Sequence, residues 1–406
     1  MPFNSPIFDV NPPLLPMLLE SFESKFLKHW NEEWGGKCIL HGKPTTANSI
    51  HLDGNDYLSI AKHPDIISAQ VKCLENASES VIQSGAFLLD EHPSRYLEKS
   101  MAAWMGKEDG FLTQSGYTAN IGLLQAIANK DTPVYIDTMA HTSLWEGAHA
   151  ARAPAYPFRH NDPEHLAKTI ARYGSGIVIV DSVYSTTGAI CPLEQMVQVC
   201  EAASCMILVD ESHSLGTHGP GGAGLCVALG LSHRVHFITT SLAKAFAGRA
   251  GFFTVPAYFR FYVLHHSFPS IFSSCLLPHE IAGISATLEV IKTSDAARTR
   301  LHSTTKRLRA TLTSLGYPIH QGTEQIISLE AGTEPDTMYL RDRLEEHDVV
   351  GAIFCAPATS RNRAMVRLTV NAGLSDDELT RIETAAEAIA PQVKPWDWPI
   401  ARRAKS

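Results

Sequence analysis

Four short apolar runs, each ending in acidic or hydroxyl residues, punctuate the middle of the chain: VYID (134–137), IVIVDS (177–182), MILVDE (206–211) and HFITTS (236–241). Runs of this length, rich in β-branched residues and separated by helix-length segments, predict parallel strands buried on both faces of an α/β sheet. Ligands of such sheets bind beyond the carboxyl ends of the strands. Asp137, Asp181, Asp210 and Ser241 therefore gather around one potential site.

After about residue 290 the pattern changes. A helix-like ARTRLHSTTKRLRATLTSLG is followed by ISLEA (327–331), a charged helix DTMYLRDRLEEHD (336–348), VVGAIF (349–354) and VRLTV (366–370), which predicts a small α+β domain. The expected organisation is an N-terminal segment 1–55, with the helical LLESFESKFLKHW, packing with that small domain; a large domain over 56–290; and the C-terminal small domain over 291–406.

Composition narrows the function classes. The 406 residues are 44% apolar and 19% charged, the balance of a globular protein. A net charge of −8 and no Lys/Arg-rich run leave no electrostatic footprint for nucleic acid or an anionic membrane surface. The N-terminal apolar stretch is interrupted by Pro12, Pro13 and Pro16, so neither a signal peptide nor a membrane span is expected, and the cytoplasm is the expected location. Eight scattered cysteines without a C-x-x-C pair read as small apolar residues.

The stretch LVDESHSLGTHGPGGAGL (208–225) holds a literal G-x-G-x-x-G at Gly219, Gly221 and Gly224. A dinucleotide loop needs its first glycine directly after the strand. Gly219 lies nine positions after Asp210 and Pro220 interrupts the motif, so the match reads as accidental and a flexible loop is expected. Asp210, His213 and His218 could ligate a metal, but their spacing matches no established pattern and no metal is expected.

A carboxylate at a strand end can also pair with a protonated ring nitrogen, as pyridoxal phosphate requires. That use predicts further parts. Lys244 in TSLAKAFAG lies just past the 236–241 strand, where a desolvated amine could form a Schiff base; the alternative is an ordinary surface lysine. Ser115-Gly116 opens an amphipathic helix whose N–H groups suit a phosphate, or form a simple cap. His141 follows a strand end and could stack on a ring, or be merely structural.

Together these residues resemble the α-oxoamine synthases, a branch of the fold-type-I pyridoxal-phosphate enzymes that joins an amino acid to an acyl thioester. The matches run in family order: NDYL (55–58), SGYTAN (115–120), D-x-x-x-H-x-S (137–143), HND (160–162), VDESHSLGTHGPGGAG (209–224) and the S-L-A-K lysine. VYIDTMAHTSLWEGA, VDSVYSTTGAI, IFSSCLLP (271–278) and PATSRNR (357–363) further resemble the CqsA-like autoinducer synthases, which make α-hydroxyketone quorum-sensing signals.

The resemblance implies an aspartate-aminotransferase-like fold with a large, mostly parallel sheet and a small α+β domain. It implies that Lys244 carries pyridoxal 5′-phosphate as a Schiff base, Asp210 meets the ring nitrogen and His141 stacks on the ring. His213 and Ser185 would bond the ring hydroxyl region; Ser115, Gly116, Tyr117 and Ser241 would hold the phosphate, with Ser274 reaching it from the second subunit of a homodimer. The family usually places an arginine before the proline of its R-P-x-T segment to grip the amino acid's carboxylate. Here that position is Ala356, so Arg361, Arg363 and Arg367 are candidates by proximity in sequence, with Asn55 as a further polar contact.

The implied reaction condenses S-adenosylmethionine or 2-aminobutyrate with a medium-chain acyl-CoA, with decarboxylation, to an aminoketone or hydroxyketone precursor. Competing expectations are another oxoamine synthase using glycine, alanine or serine, with a biotin precursor or a sphingoid ketone as product; a plain aminotransferase; a nucleotide-dependent oxidoreductase; and a non-catalytic pyridoxal-binding regulator.

Overall fold

A computed structural model describes residues 15–76 and 83–403, and among these described residues eleven strands form two sheets. Residues 1–14 of the expected N-terminal segment and 404–406 of the expected C-terminal domain lie outside the described residues. The strands are β1 (Ile50–Leu52), β2 (Asp109–Thr113), β3 (Val134–Asp137), β4 (Ala155–Phe158), β5 (Ile177–Asp181), β6 (Met206–Asp210), β7 (Phe237–Ser241), β8 (Gly251–Val255), β9 (Ile326–Gly332), β10 (Val349–Phe354) and β11 (Ala364–Thr369).

Seven of them form a sheet in the order β2-β8-β7-β6-β5-β3-β4. Every residue of β3 and β5 is buried, as their continuous apolar runs require when helices cover both faces. The pairs from β4 to β7 are parallel, whereas β8 runs antiparallel to both β7 and β2. Asp181 and Asp210 are direct register partners, and Asp210 in turn faces Thr239. The carboxyl ends of β5, β6 and β7 thus lie side by side.

The second sheet has the order β1-β10-β11-β9. Its edge strand β1 pairs parallel with β10, Ile50 opposite Val349, which ties residues 50–52 to the C-terminal elements. Further upstream, His29 Nε2 and Trp34 Nε1 both meet the Glu334 carboxylate, at 2.6 and 2.7 Å, at the start of the helix Glu334–Glu346.

A buried ion cluster braces the start of the large sheet. Arg95 grips Asp109 through two bonds of 3.0 and 2.9 Å and also pairs with Glu98, while Arg260 reaches Glu98 at 3.0 Å. Glu98 accepts the Leu112 N–H at 2.9 Å, fixing β2 where it turns toward Ser115. Removing one member of such a cluster strands its partner's charge, at a cost of about 3–5 kcal/mol.

The glycines of the 208–225 stretch serve a turn. Gly219, Gly221, Gly222 and Gly224 all have positive φ, and a Cβ at Gly224 would lie 2.0 Å from Glu211 Oε2. Glu211 is fully buried, accepts the Cys226 N–H at 2.6 Å, and is pushed by burial to a pKa of about 7. In the unfolded chain the same carboxyl ionises near its ordinary 4.5. Its contribution is therefore fully present below pH 4.5 and is lost as pH rises toward 7, by up to about 3 kcal/mol. Glu211→Gln is expected to gain stability relative to the native protein between pH 5 and pH 8, read from urea midpoints at both values; an unchanged difference refutes the buried-acid assignment.

Candidate active site

The carboxyl ends of β5, β6 and β7 open on a cavity of about 210 Å³ lined by Ser115, Gly116, Tyr117, Asn120, His141, Ser143, Asp181, Val183, Asp210, Ser212, His213, Ser241 and Lys244. At its base Asp210 accepts from Asn120 Nδ2 at 2.9 Å, from the Ser212 N–H at 2.9 Å and from Ser212 Oγ at 2.5 Å. These donors hold a buried carboxylate that would otherwise be costly. The same Asn120 amide donates to Ser143 Oγ at 2.8 Å, and Ser143 Oγ lies 2.7 Å from His141 Nδ1. His141 is thereby tied, through two side chains, to the carboxylate.

One wall is built for an anion. Ser115 caps the helix Gly116–Ile127 by accepting the Thr118 N–H at 3.2 Å, and Thr118 Oγ1 accepts the Ser115 N–H at 3.0 Å. The free N–H groups of the first turn, at Gly116 and Tyr117, then face the cavity with the positive end of the helix dipole. Close packing sets this wall: a Cβ on Gly116 would lie 2.5 Å from Ser241 Cβ, and one on Gly251 would lie 2.2 Å from the Ser115 carbonyl oxygen. Ser241 completes it, its N–H held by Ser212 Oγ at 2.7 Å.

Lys244 sits three residues past β7 and lines the cavity. Burial, then the nearby Arg367 guanidinium, lower its pKa, with Asp210 acting in the opposite direction. His213 is driven well below its ordinary value by burial, then by Lys244, Arg367 and His141, and is neutral. The packing around His141, then Lys244, lower that imidazole too. Asp181 is raised well above the carboxylate range by burial and by Asp210 beside it; its one hydrogen-bond donor is the His141 N–H at 3.4 Å.

Of the three candidate arginines, Arg367 is the one that comes to the cavity. It projects from β11 of the small sheet and is 5% exposed. Nη1 donates to the Ser185 carbonyl at 2.9 Å and Nη2 to Asn55 Oδ1 at 3.1 Å, while Nε has no acceptor. Its hydrogen-bond partners are neutral, and its charge lowers the pKa of Lys244, His213 and Tyr57 beside it.

The expected cofactor residues Ser115, Gly116, Tyr117, His141, Asp210, His213, Ser241 and Lys244 are thus brought together. Ser185 and Asn55 meet at Arg367. Arg363 instead pairs with Glu330 at 2.8 Å and lines a separate cavity of about 570 Å³ with Trp145 and Thr359, and Arg361 is exposed. Ser274 accepts from Gln114 Nε2 through its carbonyl and lies outside the lining of its own chain's cavity. Asp137, grouped with the strand ends, is taken up by His160, Asn161 and Tyr184. Asn120 and Ser143 carry no assignment in the sequence reading although they sit inside SGYTAN and D-x-x-x-H-x-S; Ser212 had only its nearness to Asp210 as a signal. Among the described residues no cluster of His, Cys, Asp or Glu is arranged to hold a metal ion.

An anion cradle at one end, a carboxylate at the other, an imidazole at the wall and an amine of depressed pKa are the parts pyridoxal phosphate needs, and the donor set fits it. The fold and site define a fold-type-I pyridoxal-phosphate-dependent transferase. A model of the class I and II aminotransferase family matches residues 47–389, and the chain belongs to that family. It falls in the α-oxoamine synthase branch, being 44% identical over 351 residues to the CAI-1 autoinducer synthase of Vibrio campbellii, across 86% of this chain and 89% of the relative. It is 31% identical over 354 residues to the 8-amino-7-oxononanoate synthase of Anaeromyxobacter dehalogenans, across 87% and 89%. The solved serine palmitoyltransferase of Sphingomonas wittichii shares the fold, with a TM-score of 0.85 at 23% identity over 93% of this chain and 99% of that one.

Gly116→Ala is expected to push Ser241 off the anion wall and weaken pyridoxal phosphate binding at least tenfold, about 1.4 kcal/mol, in fluorescence titrations of the apoprotein. Unchanged affinity would remove the Gly116 wall from the phosphate site.

Proposed function

We propose that this protein condenses an amino acid, S-adenosylmethionine or 2-aminobutyrate, with a medium-chain acyl-CoA to make the aminoketone or hydroxyketone precursor of a quorum-sensing signal. The net reaction joins the amino acid's α-carbon to the acyl carbonyl carbon and releases coenzyme A and carbon dioxide. Similarity to the Vibrio campbellii synthase across most of both chains supports the product class. The observation that carries the chemistry is Arg367: a buried guanidinium facing Lys244 without an anionic partner is the place for the amino acid's carboxylate.

Pyridoxal phosphate, when bound, supplies the electron sink for negative charge at the α-carbon. Around it each residue has a separate task. Asp210, held in place by its three donors, would meet the ring nitrogen. Lys244 would hold the cofactor and serve as the base for the α-proton; burial, then Arg367, lower the pKa of its amine, which favours both tasks. Arg367, steadied by Asn55 and Ser185, orients the carboxylate so that the α-proton faces Lys244. His141, at the cavity wall, would stack on the ring.

A homodimer with shared active sites is part of the proposal. Phe87, Tyr258, Phe261, Phe268 and Phe272 are 56–85% exposed, and the last of these lies two residues from Ser274. Apolar exposure on that scale marks an interaction face. The eight cysteines are free, which fits the reducing cytoplasm, and no described helix is long and apolar enough to cross a membrane.

Release of free thiol from decanoyl-CoA, followed with each amino acid in turn, tests the reading. Turnover with S-adenosylmethionine or 2-aminobutyrate supports signal synthesis; turnover only with glycine, alanine or serine indicates another oxoamine synthase, the reading favoured by similarity to 8-amino-7-oxononanoate synthase; absence of thiol release with every donor refutes acyl transfer. Arg367→Ala is expected to raise the KM for the amino acid roughly 100-fold and Arg367→Lys less, with the KM for acyl-CoA held within about twofold. Equal effects on both substrates would sink the carboxylate assignment.

A further inference from the structure

Tyr57 is fully buried, 156 positions before the residue it touches. Its hydroxyl lies 2.6 Å from His213 Nδ1 and 3.4 Å from Asn55 Oδ1. A buried phenol must place its single hydrogen on one of these acceptors. The second distance exceeds the 2.5–3.0 Å of an O–H···O bond, and Asn55 Oδ1 already accepts from Arg367 at 3.1 Å. The hydrogen therefore goes to Nδ1.

His213 is neutral, hemmed in by Lys244, Arg367 and His141, so its ring carries one hydrogen. With Nδ1 occupied as an acceptor, that hydrogen resides on Nε2. His213 lines the cofactor cavity, and Nε2 is the ring nitrogen left for it.

We propose that Tyr57 is a positioning residue that locks His213 in the Nε2–H tautomer, so that the site presents a fixed donor to the phenolic oxygen of the cofactor. The proposal deepens the pyridoxal phosphate reading and rests on it. Without the lock, His213 could turn a lone pair toward that oxygen and repel it. The lock is also held from outside the large sheet: the Tyr57 carbonyl accepts the Ala372 N–H at 2.8 Å, just past β11, and Gln325 Nε2, just before β9, donates to the His213 carbonyl at 2.8 Å. Correct seating of the small sheet thus sets the protonation pattern of a residue in the large one.

The test compares wild type, Tyr57→Phe, His213→Asn and the double variant. Solid-state nitrogen spectra of histidine-labelled protein, with the His213 signals identified by their loss in His213→Asn, are expected to show a bare Nδ1 in wild type and a mixture of tautomers in Tyr57→Phe. A bare Nδ1 that persists in Tyr57→Phe, or a protonated Nδ1 in wild type, overturns the proposal. These spectra can be taken on the apoprotein, so failure to bind pyridoxal phosphate would refute the functional reading separately.

In the cofactor-loaded protein, loss of the donor leaves the phenolic oxygen more basic. The pH midpoint of the visible band is then expected to rise by roughly 1–2 units in Tyr57→Phe. It should rise no further in the double variant than in His213→Asn, because both substitutions remove one interaction. A purely structural role for Tyr57 would lower stability and leave the midpoint in place, and additive shifts would equally defeat the idea.

Discussion

A single buried carboxylate organises the large half of this protein. Asp210 ends a central strand where water is excluded, so it must be met by donors, and the three it receives come from two elements of the chain. Asn120 brings the helix Gly116–Ile127; Ser212 brings the turn after β6 and, through its hydroxyl, the end of β7. Because Asn120 also holds Ser143, and Ser143 Oγ meets His141, the carboxylate and the imidazole are tied together through two side chains. Satisfying one carboxylate places the anion wall, the imidazole and the strand that leads to Lys244.

The small half contributes the opposite charge. Arg367 enters from β11, is held by a carbonyl of the large half and by Asn55 of the N-terminal segment, and faces Lys244. A buried guanidinium beside an amine depresses the amine's proton affinity. In the proposed reaction that result serves Lys244, since a lysine acting as nucleophile and base has to be neutral. On the proposed assignment an entering carboxylate would offset the guanidinium's charge, so substrate binding and the readiness of the amine would be governed by the same electrostatic balance.

Much of this was legible in the sequence, for identifiable reasons. Strands β3, β5, β6 and β7 are continuous apolar runs because helices cover both their faces, and the residues that follow each run are those of the site. By contrast β8 and β2 begin with glycine or aspartate, and β4 contains Pro157, which the outer position of β4 in the sheet allows. None of those three announces itself. The carboxylate site was the hardest part, since Arg361, Arg363 and Arg367 differ in sequence by a few positions only. What separates them is Glu330, 33 residues before Arg363 and paired with it, and Asn55, more than 300 residues before Arg367. Those pairings arise from the packing of β9 against β11 and of the N-terminal segment against both halves.

The tight seam at Gly116 and Gly251 has a consequence for how such a protein can change. No side chain larger than hydrogen fits at either point, because the neighbouring atoms are backbone or the stub of Ser241. The cofactor end is therefore closed to gradual remodelling: each step away from glycine dislodges the wall itself. The other end is assembled from long side chains on a separate sheet and on the segment before it, and it already tolerates Ala356 where an arginine is customary in the family the chain resembles. If Arg367 takes the substrate's carboxylate as proposed, a different amino acid would be admitted by re-aiming β11 and its neighbours while the wall at Gly116 and Gly251 stays fixed.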